Sequence, residues 1–118
     1  MKLELDNLVV ENINNNLENV KDSSVVSRCK AVKGDIVLNF DYHNQLINLN
    51  KNNSISLKIQ EGEVSQEEKQ HFVMYGIVYD NRNILKISCG GLLCEVFNSL
   101  NTIEFKVGDY VYFIVKTN

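Results

Sequence analysis

Apolar and polar residues alternate with a period of two along most of this chain, and no segment repeats convincingly with the period of a helix. The alternation is clearest at 36–41 (IVLNFD) and 55–60 (ISLKIQ), where every second residue is large and apolar. Such alternation is typical of antiparallel strands that are buried on one face. Further strands are predicted at 3–10, 25–32, 72–79, 84–97 and 110–116.

Polar, turn-forming segments separate these predicted strands. They lie at Gly34-Asp35, 51–54, 80–83 and Gly108-Asp109. Strands at this spacing favour a barrel or a sandwich over a βαβ fold. The polar segment 61–70 (EGEVSQEEKQ) is predicted to be a mobile loop rather than a short helix. With 118 residues, the chain is expected to form a single domain, 1–118, around one hydrophobic core.

Two predicted strands depart from the alternation because both of their faces are apolar. The segment 72–79 (FVMYGIVY) carries apolar residues, tyrosines and one glycine, and 110–115 (YVYFIV) is equally apolar. A small antiparallel barrel normally has one dry face and one wet face, so these strands need a second cover. That cover is either another part of the same chain or another protein.

Glycines fall inside two of the predicted strands. Gly90-Gly91 interrupts the apolar run 84–97 (ILKISCGGLLCEVF), and Gly76 lies between Tyr75 and Ile77. Glycine inside a strand usually marks a bulge, a sharp bend of a barrel or a close approach of two backbones. We expect one of these three features at each position.

Candidate chemistry is scarce. The three cysteines, Cys29, Cys89 and Cys94, form no CxxC pair and fit free thiols in a reducing compartment. His43 and His71 lie in or beside polar segments, as expected of solvated surface histidines, and no ligands are paired as in a zinc knuckle. No phosphate-binding glycine motif is present. We therefore expect no catalytic residue, no metal, no cofactor and no small-molecule substrate.

Charge and hydropathy restrict the partners. The chain has 12 Lys and Arg against 15 Asp and Glu, a formal net charge of -3. This balance argues against a protein whose main role is to bind phosphate groups. Its apolar runs are far shorter than the roughly 20 residues of a membrane span. The start, MKLELDNLVV, lacks the apolar stretch of a secretory signal. We expect a cytosolic or nuclear protein without membrane contact.

Exposed aromatics on an OB-type barrel could also stack on the bases of a single strand. The candidate rings are Tyr75, Tyr79, Tyr110, Tyr112 and Phe113. The cations near them are few: Arg82, Lys86, Lys106 and Lys116. The acidic balance favours core or protein-interface roles for these rings.

Three motifs of the carboxyl half carry a resemblance to a known family. In order they are VMYGIVY (73–79), SCGGLLCEV (88–96) and VYFIVK (111–116). They resemble the small OB-fold subunit common to the eukaryotic nuclear RNA polymerases I, II and III, the eighth in the polymerase II series. VSRCKA (26–31) resembles the second-strand motif of that family, and the resemblance runs from about residue 3 to residue 116. The chain departs from the family at Cys89, where an aromatic is usual, and in its shorter 61–70 loop.

The resemblance implies an all-β protein, an eight-stranded antiparallel barrel related to a doubled OB-fold. It also implies a non-catalytic nuclear subunit that docks mainly on the largest polymerase subunit and supports assembly for transcription, without direct nucleic-acid contact. The matching motifs give these partner-interface candidates: Arg28, Tyr75, Gly76, Tyr79, Gly90, Gly91 and Leu93.

Each interface candidate has an expected role. Tyr79 would bury its ring against the partner with its hydroxyl at the wet rim, and Arg28 would be a polar anchor. The glycines would allow close backbone approach, either to the partner or to a neighbouring strand. The alternative function is a free-standing OB-type protein that binds single-stranded nucleic acid.

Overall fold

The computed structural model describes residues 2–14, 25–99 and 104–118. Its strands are β1 (Lys2–Asn14), β2 (Val26–Lys33), β3 (Ile36–His43), β4 (Ser54–Gln60), β5 (Phe72–Asp80), β6 (Ile84–Cys89), β7 (Leu92–Phe97) and β8 (Tyr110–Thr117). Within these described ranges there is no α-helix. None of the described residues forms a helix with the length and apolar character needed to cross a membrane.

The eight strands close into one antiparallel barrel in the order β1-β2-β3-β7-β6-β5-β8-β4, with β4 returning to β1. Each strand is therefore paired on both sides, so the barrel has no free edge. The predicted fold class, an all-β antiparallel barrel of eight strands, is confirmed, and its size is consistent with the OB type.

The barrel interior holds the apolar residues of the alternating pattern. Phe40 and Phe113, on β3 and β8, meet with ring centroids 5.5 Å apart and planes tilted by 51°, a favourable geometry for aromatic pairs. Leu38, Ile55 and Ile59 are fully buried beside them in the same core. Each such side chain stabilises the fold by about 1.5–3 kcal/mol relative to an exposed one.

All three cysteines lie in this core as free thiols, as the sequence predicted. Burial raises the pKa of the Cys29 thiol to about 12. Cys89 and Cys94, on the paired strands β6 and β7, are likewise buried in the core. They therefore act as small apolar core residues.

The glycine pair lies in a hairpin turn, which corrects the prediction of one strand over 84–97. Cys89 of β6 pairs with Leu92 of β7, so Gly90-Gly91 is the two-residue connection between them. Their φ angles are +60° and +94°, the left-handed values that such a turn requires and that side chains resist. The turn is hard to predict from the sequence because the residues on both sides of it are apolar, as they would be in one continuous strand.

The segment 61–70 contains a short helix where the sequence predicted none, a 3-10 turn at Glu68–Gln70. The Ser65 hydroxyl accepts a hydrogen bond from the Glu68 amide at 3.1 Å, and the Glu68 carboxylate accepts one from the Ser65 amide at 3.0 Å. Glu68 also pairs with Lys58 of β4, and this partner lowers the pKa of Glu68 to about 2. The predicted mobility of the segment stays a prediction.

Candidate interaction surface

An apolar surface covers the outside of the barrel across β5 and β8. We call it the tyrosine face; it comprises Val73, Tyr75, Ile77, Tyr79, Tyr110, Tyr112 and Ile114. Because side chains alternate along a strand, the residues between them point into the core, and Val78, Val111 and Phe113 are fully buried. The register places Tyr75 opposite Tyr112 and Ile77 opposite Tyr110.

Three tyrosines of this face are packed against one another. The rings of Tyr75 and Tyr110 lie 5.7 Å apart with planes 15° from parallel, and Tyr75 and Tyr112 lie 4.6 Å apart at 47°. Pairs of this kind contribute about 0.5–1.5 kcal/mol each. The three rings therefore support one another, although Tyr75 remains 53% exposed and Tyr110 59% exposed.

Among the described residues, the 61–71 segment shelters one end of the tyrosine face. Ile114 is 3% exposed, and it lines the same cavity as Glu68 and His71 of the 61–71 segment. At the other end Tyr79 is 42% exposed. The second cover predicted for the two doubly apolar strands is thus supplied in part by this chain. Tyr75, Tyr79 and Tyr110 remain exposed to solvent.

Tyr79 lies at an irregularity of β5. The pairing with β6 shifts between Val78 and Asp80, and bulges of this kind re-aim a side chain. The Val78 amide and carbonyl instead bond to the segment before β8, to Asp109 and Gly108 at 2.9 and 2.8 Å. The backbone just before Tyr79 is therefore held by the segment that precedes β8.

Leu93 extends the exposed surface across the hairpin. It pairs with Ser88 of β6, which pairs with Ile77 of β5. Directly paired residues share a face, so Leu93 lies on the same outer side as Ile77, and it is 39% exposed. The structure thus places three candidate residues, Tyr75, Tyr79 and Leu93, on one side of the barrel.

Arg28 of β2 pairs with the buried Asp41 of β3, although 46% of its own side chain remains exposed. Its Nε donates to Asp41 Oδ1 at 2.7 Å and its Nη2 to Oδ2 at 3.3 Å. The same Oδ2 accepts a hydrogen bond from the Leu93 amide at 3.0 Å, and Asp41 is otherwise buried. The hydrogen bond to Asp41 raises the pKa of Arg28. Arg28 therefore braces β2, β3 and β7, and its role as a partner anchor stays a prediction.

Gly76 is a point of close approach between β5 and β6. A Cβ built there would clash with the Ser88 carbonyl oxygen and would lie 2.6 Å from Cys89 Sγ. The sequence left open whether the glycines approach a partner or a neighbouring strand. Gly76 approaches a neighbouring strand. Gly90 and Gly91 make no such approach, because a Cβ at either would have no atom within 4 Å. For that pair, a close approach to a partner stays a prediction.

Acidic groups border the Tyr79 end of the face. The pKa of Tyr79 is raised, first by its partial burial and then by the negative charges of Glu95 and Asp80. Asp80 is engaged by Arg82, whose Nε and Nη2 lie 3.2 Å from its oxygens. Glu95 has Lys86 at 3.9 Å, which is too long for a hydrogen bond.

Sequence reasoning missed this acidic border. Glu95 and Lys86 face each other only once β6 and β7 are recognised as a hairpin. Reading Gly90-Gly91 as a two-residue turn would have supplied that register and set Glu95 on the outer face.

The two histidines lie in polar surroundings within the described part of the chain. The His43 ring nitrogen Nδ1 accepts a hydrogen bond from the Gln45 amide at 3.4 Å. His71 lines an open cavity of about 210 Å³ whose other polar residues include Lys58 and Glu68. Among the residues described, no three His, Cys, Asp or Glu side chains converge on a metal position.

The fold and the exposed face define the class: a small closed antiparallel β-barrel with a clustered aromatic surface. Comparison with models of known protein families finds no match, and comparison with curated proteins finds none.

Proposed function

We propose that this chain is a non-catalytic structural subunit shared by the nuclear DNA-directed RNA polymerases, which docks on the largest subunit and supports assembly of the enzyme in the nucleus. The tyrosine face is its docking surface, together with Leu93 at its margin. The proposal includes no catalytic step, no cofactor and no direct contact with nucleic acid.

The observation that carries this proposal is the exposure of the packed tyrosines. Tyrosine is enriched at the centres of protein interfaces because its ring is apolar and its hydroxyl tolerates a wet rim. Tyr75 and Tyr110 lose little conformational freedom on docking, since they already pack against each other. A rigid aromatic surface on a barrel without free edges favours side-chain docking over strand addition.

The positions of the family-like motifs support the same proposal. VMYGIVY lies in β5, SCGGLLCEV spans the β6–β7 hairpin and VYFIVK lies in β8. These four strands are contiguous in the barrel, in the order β7-β6-β5-β8. The three motifs of the carboxyl half therefore form one continuous wall, and the exposed tyrosines lie on its outer side.

The alternative, a single-strand nucleic-acid binder, is favoured by one feature. The near-parallel rings of Tyr75 and Tyr110 could extend their stack to a base. Against it, three cations near this surface lie beside carboxylates: Arg28 with Asp41, Arg82 with Asp80 and Lys86 with Glu95. A groove that tracks phosphates needs unpaired cations.

Affinity purification tests the proposal. The tagged full chain would be recovered from nuclease-treated nuclear extract, and the largest subunits of the three polymerases would be measured by mass spectrometry. We expect their recovery with the wild-type chain and its loss with Tyr75→Ser/Tyr110→Ser. Val9→Ser is the matched control, since Val9 is similarly exposed but lies on β1. Absence of polymerase from the wild-type sample would contradict the proposal.

A titration separates the two functions. The purified chain would be added to a short fluorescent oligonucleotide at low and moderate salt. Tight binding that weakens steeply with salt would support the alternative; no binding at low salt would count against it.

A further inference from the structure

We propose that Ser65 is phosphorylated by a serine/threonine protein kinase that selects acidic sequences, and that the phosphate opens the turn that holds the 61–71 segment against the tyrosine face. This inference goes beyond the proposed function and does not depend on it, because neither the modification nor its effect on the turn involves polymerase.

The acidic sequence around Ser65 is the recognition element. Protein kinases discriminate between substrates by the charge pattern beside the acceptor residue, and the acidic-directed class reads carboxylates that follow it, above all at the third position. Glu67 and Glu68 stand two and three positions after Ser65. No other serine or threonine of the sequence has an acidic residue three positions after it. The sequence therefore offers such a kinase one preferred acceptor.

The Ser65 hydroxyl is available for the reaction. Ser65 is exposed and lies just before the 3-10 turn Glu68–Gln70. The hydrogen bond that its hydroxyl accepts from the Glu68 amide, at 3.1 Å, belongs to an exposed turn, and such turns open at little cost. In the transfer, Ser65 Oγ attacks the γ-phosphorus of MgATP, the bond from that phosphorus to the β–γ bridging oxygen breaks, ADP leaves, and the hydroxyl proton passes to the catalytic base of the kinase.

The turn that Ser65 caps also fastens the segment to the barrel. Glu68 Oε1 accepts a hydrogen bond from the Ser65 amide at 3.0 Å, while Glu68 Oε2 pairs with Lys58 of β4. Lys58 is directly paired with Ile114 of β8, and directly paired residues share a face. The segment is therefore fastened beside Ile114, which is buried at this end of the tyrosine face.

A phosphate on Ser65 would break this fastening. A phosphoserine carries a charge of about -1.5 to -2 at pH 7. Lys58 holds the pKa of Glu68 at about 2, so the carboxylate next to that phosphate is ionised, and like charges so close repel. Lys58 is already shared with Glu4, 3.9 Å away, so it has little capacity to neutralise a further anion. A phosphate that attracted Lys58 would also take it from Glu68.

Phosphorylation of the purified full chain tests the site. The folded protein would be incubated with MgATP and casein kinase II, an enzyme of the acidic-directed class, and mass spectrometry would locate the phosphate. We expect phosphate on Ser65 and its loss in Ser65→Ala. Glu68→Gln should lower the initial rate at Ser65 about tenfold, the factor for one charge-assisted contact; because this variant also loosens the turn, a lower rate reports recognition and not access. Glu63→Gln, the matched control before the acceptor, should leave the rate nearly unchanged.

Amide hydrogen exchange measures the effect on the turn. The Lys69 and His71 amides donate to the Ser65 and Glu68 carbonyls, each at 3.0 Å. In the phosphorylated protein they should exchange about fivefold faster or more, the factor for one net hydrogen bond. The Asn53 amide, which donates to the Asn50 carbonyl in another turn, is the internal control and should keep its rate.

The exposure of Ile114 gives a second measurement of the opening. A soluble paramagnetic agent broadens the NMR signals of groups that it can approach. It should broaden the Ile114 methyl signals more strongly after phosphorylation, because the segment that shelters this side chain has moved away.

Several results would overturn the inference. Absence of phosphate from Ser65, incorporation only into denatured protein, or equal incorporation at other serines would exclude the site. So would absence of phosphorylated Ser65 from the tagged chain recovered from cells with phosphatases inhibited. Unchanged exchange at Lys69 and His71, or unchanged broadening at Ile114, would exclude the opening of the turn. Recovery or loss of polymerase bears on the proposed function alone.

Discussion

Replacing Gly76 with alanine is the most informative single perturbation of the wall that carries the tyrosine face. The added methyl group would overlap the Ser88 carbonyl oxygen and would lie 2.6 Å from Cys89 Sγ. Real Cβ atoms essentially never come so close to other atoms. The thiol can turn away, but the carbonyl belongs to β6, which is hydrogen-bonded on both sides.

The expected loss of stability depends on the carbonyl, because the thiol can move away from the added methyl group and the carbonyl cannot. Overpacking a well-ordered core typically costs 1–3 kcal/mol, and the immobile carbonyl puts Gly76→Ala at the upper end, about 3 kcal/mol. A domain of this size is stable by about 5–15 kcal/mol in total. The melting temperature should fall by about 12 °C, since each kcal/mol corresponds to about 4 °C at this length.

Thermal and urea unfolding followed by circular dichroism would measure the effect. Cys89→Ala in the Gly76→Ala background separates the two clashes, because it removes the thiol and leaves the carbonyl. Gly108→Ala is the control for backbone strain alone: its φ is +98° and its Cβ would meet no atom within 4 Å, so it should cost only about 1 kcal/mol. Equal stability of Gly76→Ala and the wild type would refute the reasoning, and full rescue by Cys89→Ala would show that the carbonyl is not limiting.

Three further predictions concern the contacts around this wall. Glu68→Gln should destabilise the protein by about 1 kcal/mol at neutral pH, measured by urea unfolding. Because the folded pKa of Glu68 is lowered to about 2, the difference in stability between variant and wild type should shrink as the pH falls from about 5 toward 2. A difference that does not depend on pH would contradict the ion pair with Lys58. Arg28→Ala should cost about 2 kcal/mol by leaving the buried Asp41 without its charged partner, whereas Arg82→Ala, in an exposed pair, should leave the melting temperature unchanged; equal effects would argue against the brace. Gly91→Val should disrupt the β6–β7 turn, since valine resists a positive φ; cross-strand contacts between Ile87 and Cys94 in NMR spectra would reveal the loss, and their persistence would show that the turn tolerates a side chain.

Much of the barrel follows from the local pattern. The period of two at 36–41 and 55–60 places Leu38, Phe40, Ile55 and Ile59 inside, and all four are fully buried. The two doubly apolar segments predicted a face in need of cover, and the structure leaves Tyr75 and Tyr110 largely exposed there. Alternation is a property of neighbouring residues, so it can be read without knowing which strands pair.

Other features depend on pairing between distant strands. The hairpin at Gly90-Gly91, the Arg28 brace to Asp41 and the placement of Glu95 opposite Lys86 all require a register. Phe105 is buried although it lies outside every strand, and the pattern did not single it out. These contacts arise only when the chain folds back on itself, and similar apolar runs are compatible with several registers.

The amino-acid sequence by itself determined that this protein is built from half-buried strands, with free thiols in its core and too many apolar residues on two of the strands for one interior. Barrel closure decided the rest: which tyrosines meet, which end of their surface the 61–71 segment shelters and which acidic groups border it. The physical reason is that side-chain alternation is encoded along the chain, whereas the neighbours of each outward residue are set by hydrogen-bonded pairing between segments far apart in sequence.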